Sequence, residues 1–342
     1  MSAYIVRRLL ILPIILWGLT LLIFLMISML SPYERVALYV SDTSKREGAI
    51  EEVIHKYGLD KPIYVQYFEW LKRTAQGNLG FSKVGKQPVA AALRQYVPVT
   101  AELAIWSFIP MVTIGIWMGV QAAVHQDRWI DHLARIFSIT GWSIPLFVFG
   151  LIMLMIFYAR LDWFPAGRLS NWASAIVQSE GFHRYTNMNT FDALLNARLD
   201  IFVDALRHLV LPVVTLSYLN WALILRVTRS AMLETLRQDY VTTARAKGLA
   251  ERVVIGKHAR PNAMISVVTV AGLTLVTLLN GAVLTETIFN LHGIGWFLAA
   301  AASNLDVISV LGVSLFSGVI MVTGNLVVDI LYGVIDPRVR IS

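Results

Sequence analysis

Few stretches of this 342-residue sequence hold residues that could make or break bonds, and each fails on its spacing. From Gly80 to Gln87 the order Gly-Phe-Ser-Lys-Val-Gly-Lys-Gln nearly spells a phosphate-binding loop. Such a loop needs a Ser or Thr after its Lys to hold Mg²⁺, but here Gln87 stands there, Pro88 follows, and no strand precedes it. No ATP site is expected on this chain. His125, Asp127, Asp131 and His132 crowd one short stretch without His-Glu-x-x-His spacing, so a solvated helix end is expected there rather than a zinc site. The absence of cysteine excludes disulfides, thiolate metal sites and a Cys nucleophile. What remains is a polar, basic stretch at 239–262, whose residues suit contact rather than catalysis. Asp239 is expected to cap a short helix, its carboxylate accepting from the free N–H groups of the first turn. Tyr240 to Lys247 lacks Gly and Pro, and Gly248 supplies the left-handed residue that ends a helix with little strain. Ala244, Ala246 and Gly248 are small enough to let another surface approach closely. On residues alone, this pattern fits a plain basic loop before it fits a docking element.

The elements that would hold such a loop are membrane spans. The chain is 56% hydrophobic and 15% charged, with a mean hydropathy of +0.63, too apolar for a soluble domain. Six uncharged runs are long enough to cross a bilayer: 9–30, 103–124, 136–159, 209–225, 262–285 and 307–328. Arg7 and Arg8 precede the first, which places the N-terminus in the cytoplasm; no small-x-small cleavage site follows, so the span is read as uncleaved. The formal charge of +7 is concentrated between the fourth and fifth runs, where eight Lys or Arg from Arg226 to Arg260 face three acids. Positive-inside bias accounts for that more simply than a nucleic-acid face. The basic tail Asp336–Arg340 puts the C-terminus inside as well.

Residues 31–100 are read as a folded extracytoplasmic insertion. Ser44-x-x-Glu47 is a capping box for a helix bearing Ile50, Val53, Ile54 and Tyr57, stopped by Gly58. Pro62 opens a second helix whose Tyr64, Tyr67, Phe68 and Leu71 make one apolar face. In the third run Pro145 should kink the helix. Trp163, Phe164 and Trp172 fit an interfacial aromatic belt. Residues 287–305 are uncharged yet rich in Asn and Gly, and are read as a partly inserted or surface-lying outer segment. Within or beside the runs, Asn220, Asn280, Asn325 and Thr285 are candidates for a translocation path, although Asn also serves as interhelical glue.

The loop resembles the cytoplasmic signature of binding-protein-dependent ABC importer permeases, in which Glu-Ala-Ala, three residues, Gly, nine residues and Ile-x-Leu-Pro follow in order. Ala244, Gly248 and Pro261 stand at family spacing, while Thr242 and Thr243 replace Glu-Ala, His258 replaces Ile and Arg260 replaces Leu. The variant around Tyr240, Thr243, Ala244, Arg245, Ala246, Lys247, Gly248 and Leu249 is similar to the dipeptide, oligopeptide and nickel branch. So are Tyr57–Pro62, Gly77–Ser82, Trp163–Gly167, Glu286-x-x-Phe289 with Gly293-Ile294-Gly295, and Asp336-Pro337-Arg338. The resemblance implies an all-α membrane protein with six transmembrane helices, an extracytoplasmic helical insertion between the first two, and a cytoplasmic coupling loop (about 229–261) between the fourth and fifth. The corresponding parts are 1–30, 31–100, 101–335 and a cytoplasmic tail, 336–342. It further implies no cofactor on this chain, with ATP and Mg²⁺ on two partner ATPase subunits docked at Asp239, Tyr240, Thr243 to Leu249 and Pro261. A second homologous permease and an extracytoplasmic solute-binding protein complete the implied partners, in a bacterial or archaeal cytoplasmic membrane.

Two other classes compete with an importer permease. An intramembrane enzyme needs Gly-x-Ser-x-Gly, paired acids or His-Glu-x-x-His in its spans, and none is present. The other is an ATP-independent channel or secondary transporter; an ion-coupled carrier places ionisable groups near mid-membrane, whereas the six runs have none. The permease reading is preferred, for peptides or alternatively oligosaccharides or nickel complexes.

Overall fold

The computed structural model describes residues 2–31, 35–36, 51, 54–55 and 58–335. The capping box at Ser44, most of the first insertion helix and the tail from Asp336 lie outside the described residues. In chain order the helices are α1 (Ser2–Ser28), α2 (Ile63–Ala75), α3 (Val89–Val124), α4 (Trp129–Ser143), α5 (Leu146–Met153), α6 (Asn171–Val177), α7 (Asn189–Leu195) and α8 (Leu199–Leu236), then α9 (Asp239–Ala246), α10 (Glu251–Leu279), α11 (Val283–Ile288), α12 (Ile294–Ser303) and α13 (Val307–Ile335). Five of these are long and apolar enough to cross a membrane, and α4 with the α5 segment makes a sixth if the bent pair is one span.

Three expectations change. The helices outrun the uncharged runs: α3 and α8 have 36 and 38 residues. At 1.5 Å per residue they reach about 55 Å, well past a hydrocarbon layer of roughly 30 Å. The boundary drawn at residue 100 therefore falls inside α3, because nothing from Val89 onward breaks the helix. Conversely, the fifth span stops at Leu279, where Gly281 adopts φ +105°, so Thr285 belongs to a separate short helix. The third span is broken rather than kinked. Pro145 forces Ile144 into extended backbone (φ −91°, ψ 121°), and the two halves meet at 99°. The second half ends in a π-helical turn, Leu154–Arg160.

The bundle is organised on the pair α3 and α8. Gly115 and Gly119 lie one turn apart on α3, and a methyl group added at Gly119 would sit 2.5 Å from the Thr228 Cβ and 2.8 Å from the Leu225 carbonyl oxygen. Only glycine permits that approach, which supplies van der Waals contact where lipid removes the hydrophobic drive between helices. Met111, Ile224 and Val267, all fully buried, join α3, α8 and α10 at the centre. On α2 the inward residues are Tyr67 and Trp70, both against Phe24 of α1, while Tyr64 and Phe68 are each 65% exposed. The expected four-residue face is thus half right. Trp163 and Trp172 are exposed as a belt requires, but Phe164 packs inward beside Phe157.

The near-phosphate-loop folds as a small hairpin, Phe81–Ser82 pairing with Gln87–Pro88. Its Ser82 hydroxyl donates to Asp306 rather than facing an open cradle. Residues 287–305 sink one face into the bundle, where Phe289, Leu291, Ile294 and Phe297 are at most 1% exposed, while Asn290, His292 and 302–305 are exposed.

Candidate coupling loop and path residues

α9 begins one residue earlier than expected. Gln238 occupies the cap position without a side-chain bond, and Asp239 is the first helical residue, where its charge still complements the N-terminal end of the dipole. The Thr243 hydroxyl donates to the Asp239 carbonyl at 2.9 Å. Gly248 takes φ +73°, with its N–H donating to the Arg245 carbonyl, and a side chain there would meet nothing within 4 Å. The turn therefore needs glycine for its backbone conformation rather than for space inside this chain. Across the turn Arg245 donates two hydrogen bonds to the Glu251 carboxylate, at 2.7 and 3.2 Å.

The helix has two unlike faces. Val241 and Ala244 are buried, packing with Met232 of α8, Val254, Ala259 and Ala263 of α10, and Ala123 of α3. Tyr240, Thr243, Arg245, Ala246, Lys247, Gly248 and Leu249 are exposed. Ala244, expected in an approachable patch, points into the chain's own core, so the loop buries more than its polar composition suggests. Before Pro261 the helix widens into a π turn, Val254–Ala259, which relieves the clash between the proline ring and the preceding turn. Pro261 itself is exposed in the first turn of the regular segment Arg260–Leu279.

Beside this loop, Asp131 is fully buried rather than solvated. It receives Arg229 Nε at 2.6 Å and Nη2 at 2.8 Å, Arg135 at 2.8 Å and the Asp127 N–H at 3.0 Å. The pair ties the broken span to α8, ten residues before α9. Ionisable groups thus do sit within the long helices, outside the uncharged runs, and Asp131 and Arg229 are paired with each other. Among the described residues no group of three or more His, Asp or Glu could hold a metal ion.

At the opposite end three buried carboxylates join segments distant in sequence. Glu102 on α3 accepts from the Thr190 N–H (2.6 Å) and hydroxyl (2.8 Å) and from Arg168 (3.0 Å). Glu286 accepts from the Thr100 hydroxyl (2.8 Å), the Trp296 N–H (2.7 Å) and the Ala282 N–H (3.2 Å). Asp306 accepts from Ser82, the Val84 N–H and both the N–H and hydroxyl of Ser309. Sequence reading passed over Glu102 and gave Glu286 only as part of the family pattern; a lone acid between apolar residues, as Glu102 is between Ala101 and Leu103, was the available signal.

The four path candidates differ in their surroundings. Asn220 and Asn280 each donate to the carbonyl four residues back (Leu216 and Val276), the local bond of a helical Asn. Asn220, Asn280 and Asn325 are partly exposed, whereas Thr285 is fully buried with no hydrogen-bond partner for its hydroxyl among the described residues.

A family model for binding-protein-dependent transport system inner membrane components matches residues 92–341, and one for the N-terminal part of such membrane components matches 1–104. The di/tripeptide transport system permease protein DppB of Pseudomonas aeruginosa (strain UCBPP-PA14) is 40% identical over 340 residues, covering 99% of each chain. The probable D,D-dipeptide transport system permease protein DdpB of Escherichia coli (strain K12) is 39% identical over 330 residues, 94% of this chain and 95% of that one. The oligopeptide transport system permease protein AppB of Bacillus subtilis (strain 168) is 36% identical over 341 residues, 99% of this chain and all of that one. With bundle, loop and near end-to-end matches in agreement, the chain belongs to the binding-protein-dependent transport system inner membrane components, as a multi-pass permease subunit of an ABC importer.

Proposed function

We propose that this permease passes small peptides, delivered by an extracytoplasmic binding protein, and that α9 receives the force of ATP hydrolysis from a separate ATPase subunit. The peptide reading draws on the names of the relatives; oligosaccharide or nickel-complex cargo is the alternative. The complete importer pairs this chain with a second homologous permease and two ATPase subunits. Both termini and α9 face the cytoplasm, and the end that holds Glu102, Glu286 and Asp306 faces outward. The placement of Arg7, Arg8 and the basic loop supports that orientation.

One observation carries the coupling role: α9 is seated on Val241 and Ala244 while its other face is left exposed. A push on that exposed face reaches α8 through Met232 and α10 through Val254 and Ala259. Arg229 passes it to the broken span through Asp131. The lever is short and rigid, and the helices it moves run the length of the bundle. Asn220, Asn280 and Asn325 are kept as polar groups beside the path; Thr285 joins them only if the bundle opens around α11.

Gly248→Asp tests the coupling. The positive φ adds strain of about 1–3 kcal/mol, and the new side chain projects into open space within this chain. Membrane levels should stay near normal while peptide uptake is abolished and copurification with the ATPase weakens. Full uptake at matched levels would leave this stretch as a plain basic loop.

A further inference from the structure

A cavity of about 680 Å³ opens at the end of the bundle away from α9. Its walls are the hairpin and first turns of α3 (Gln87, Arg94, Gln95), the segment around Arg168, Gln178, Arg184 and Asn187, and the turn before α12 with His292. Its volume falls within the roughly 300–1,000 Å³ of small-ligand sites. Unlike most such sites its lining is chiefly charged and amide side chains, so its ligand must itself be polar.

The charges in the wall are unequal. Three guanidinium groups line the cavity against one carboxylate, Asp192. Asp192 is 2% exposed and already accepts the N–H and hydroxyl of Thr186, both at 2.7 Å. Arg168 is committed to Glu102 at 3.0 Å and to the Asn187 carbonyl. Arg94 and Arg184 enter no ion pair among the described residues, and Arg184 Nε reaches only the Val177 carbonyl at 3.4 Å. Two uncompensated cations over a concave wall concentrate positive potential inside it, and a guanidinium fork matches a carboxylate. The neighbouring Gln95, Gln178 and Asn187 offer both donors and acceptors, as a peptide group requires.

We infer that this cavity is a receiving site for the cargo, in which Arg94 and Arg184 hold the C-terminal carboxylate of a small peptide released by the binding protein. This rests on the peptide reading above.

The test uses the assembled permease–ATPase complex in lipid nanodiscs without binding protein, with dialanine as probe. Saturation-transfer NMR should detect dialanine and its N-acetyl derivative, which keeps the carboxylate, and give at least a fivefold weaker signal for dialanine amide. The double variant R94Q/R184Q should lose the dialanine signal to a similar degree. Both arginines are exposed, so the complex should assemble normally. In proteoliposomes with saturating loaded binding protein, the variant should take up dialanine several-fold more slowly, with the half-saturating binding-protein concentration unchanged. Equal signals for acid and amide, or a wild-type signal retained in the variant, would overturn the inference while leaving peptide uptake intact. A raised half-saturating concentration with no change in the NMR signal would overturn it differently, by making the cavity a seat for the binding protein. Absence of peptide uptake by the wild-type complex would remove the peptide reading itself.

Discussion

The two ends of the bundle are held by opposite means. At the α9 end a short helix is seated by apolar side chains, Val241 and Ala244 against Met232 and Val254, and its polar face is left open. At the other end, Glu102, Glu286 and Asp306 are buried and draw their hydrogen bonds from segments up to 224 residues away in sequence. Apolar contact is non-directional and lets a helix shift without leaving a donor unpaired. A buried carboxylate with several donors fixes one geometry, because each lost bond leaves a desolvated group. The difference suits one end to move with a partner and the other to keep discontinuous segments in register.

Breaking the fixed end should cost most. Glu286→Ala strips three donors of their acceptor, and a loss on the order of 3–5 kcal/mol is expected. It would be read as a sharp fall in the melting temperature of the solubilised complex and in its membrane level. A variant as stable as wild type would show that α11 and α12 are held by packing alone. Ala244→Asp sharpens the contrast from the α9 end. It puts a carboxylate among Met232, Val254 and Ala259 with no cation beside it in that cluster, at about 2–3 kcal/mol. Unlike Gly248→Asp, it should lower stability and loop order together, measurable as faster proteolysis between Arg237 and Arg260.

Asp306 adds a pH arm at the fixed end. Burial pushes its carboxyl up, but hydrogen bonds from Ser309, the Val84 N–H and Ser82 outweigh that and hold it below its ordinary 3.8. A depressed value in the folded state means the stabilisation is present above the unfolded value and is lost as pH falls through the folded one. The melting temperature should therefore be insensitive to this group from pH 8 to about 5 and fall below about pH 4. Asp306→Asn should lower the plateau, by about 1–2 kcal/mol, and flatten that fall. Smallest of all, Arg245→Ala removes an exposed pair with Glu251 and should change stability by less than about 1 kcal/mol. An effect on uptake without one on stability would place Arg245 in the ATPase contact.

Much of this molecule follows from local pattern. The apolar runs located every long helix, since a backbone in lipid must satisfy its own hydrogen bonds within one segment. Gly248 announced a positive φ, and the turn carries one. The loop motif with its Ala, Gly and Pro named the family that the comparisons establish. What stayed hidden depended on which residues meet across the bundle. Periodicity could not tell that Pro145 breaks its span at 99° while Pro110 and Pro212 stay inside helices. Nor could it tell that Ala244 faces inward, because a short polar helix shows no strong apolar stripe. Asp131 read as a solvated helix end since nothing local points to Arg229, 98 positions away, and Glu286 found Thr100 across 186. Local sequence determined where the chain is helical and where it turns, because those choices are made among near neighbours. Which acids are buried, and which face of α9 is left exposed, only the tertiary packing decided, because a charge is stable inside only where distant segments bring its donors together.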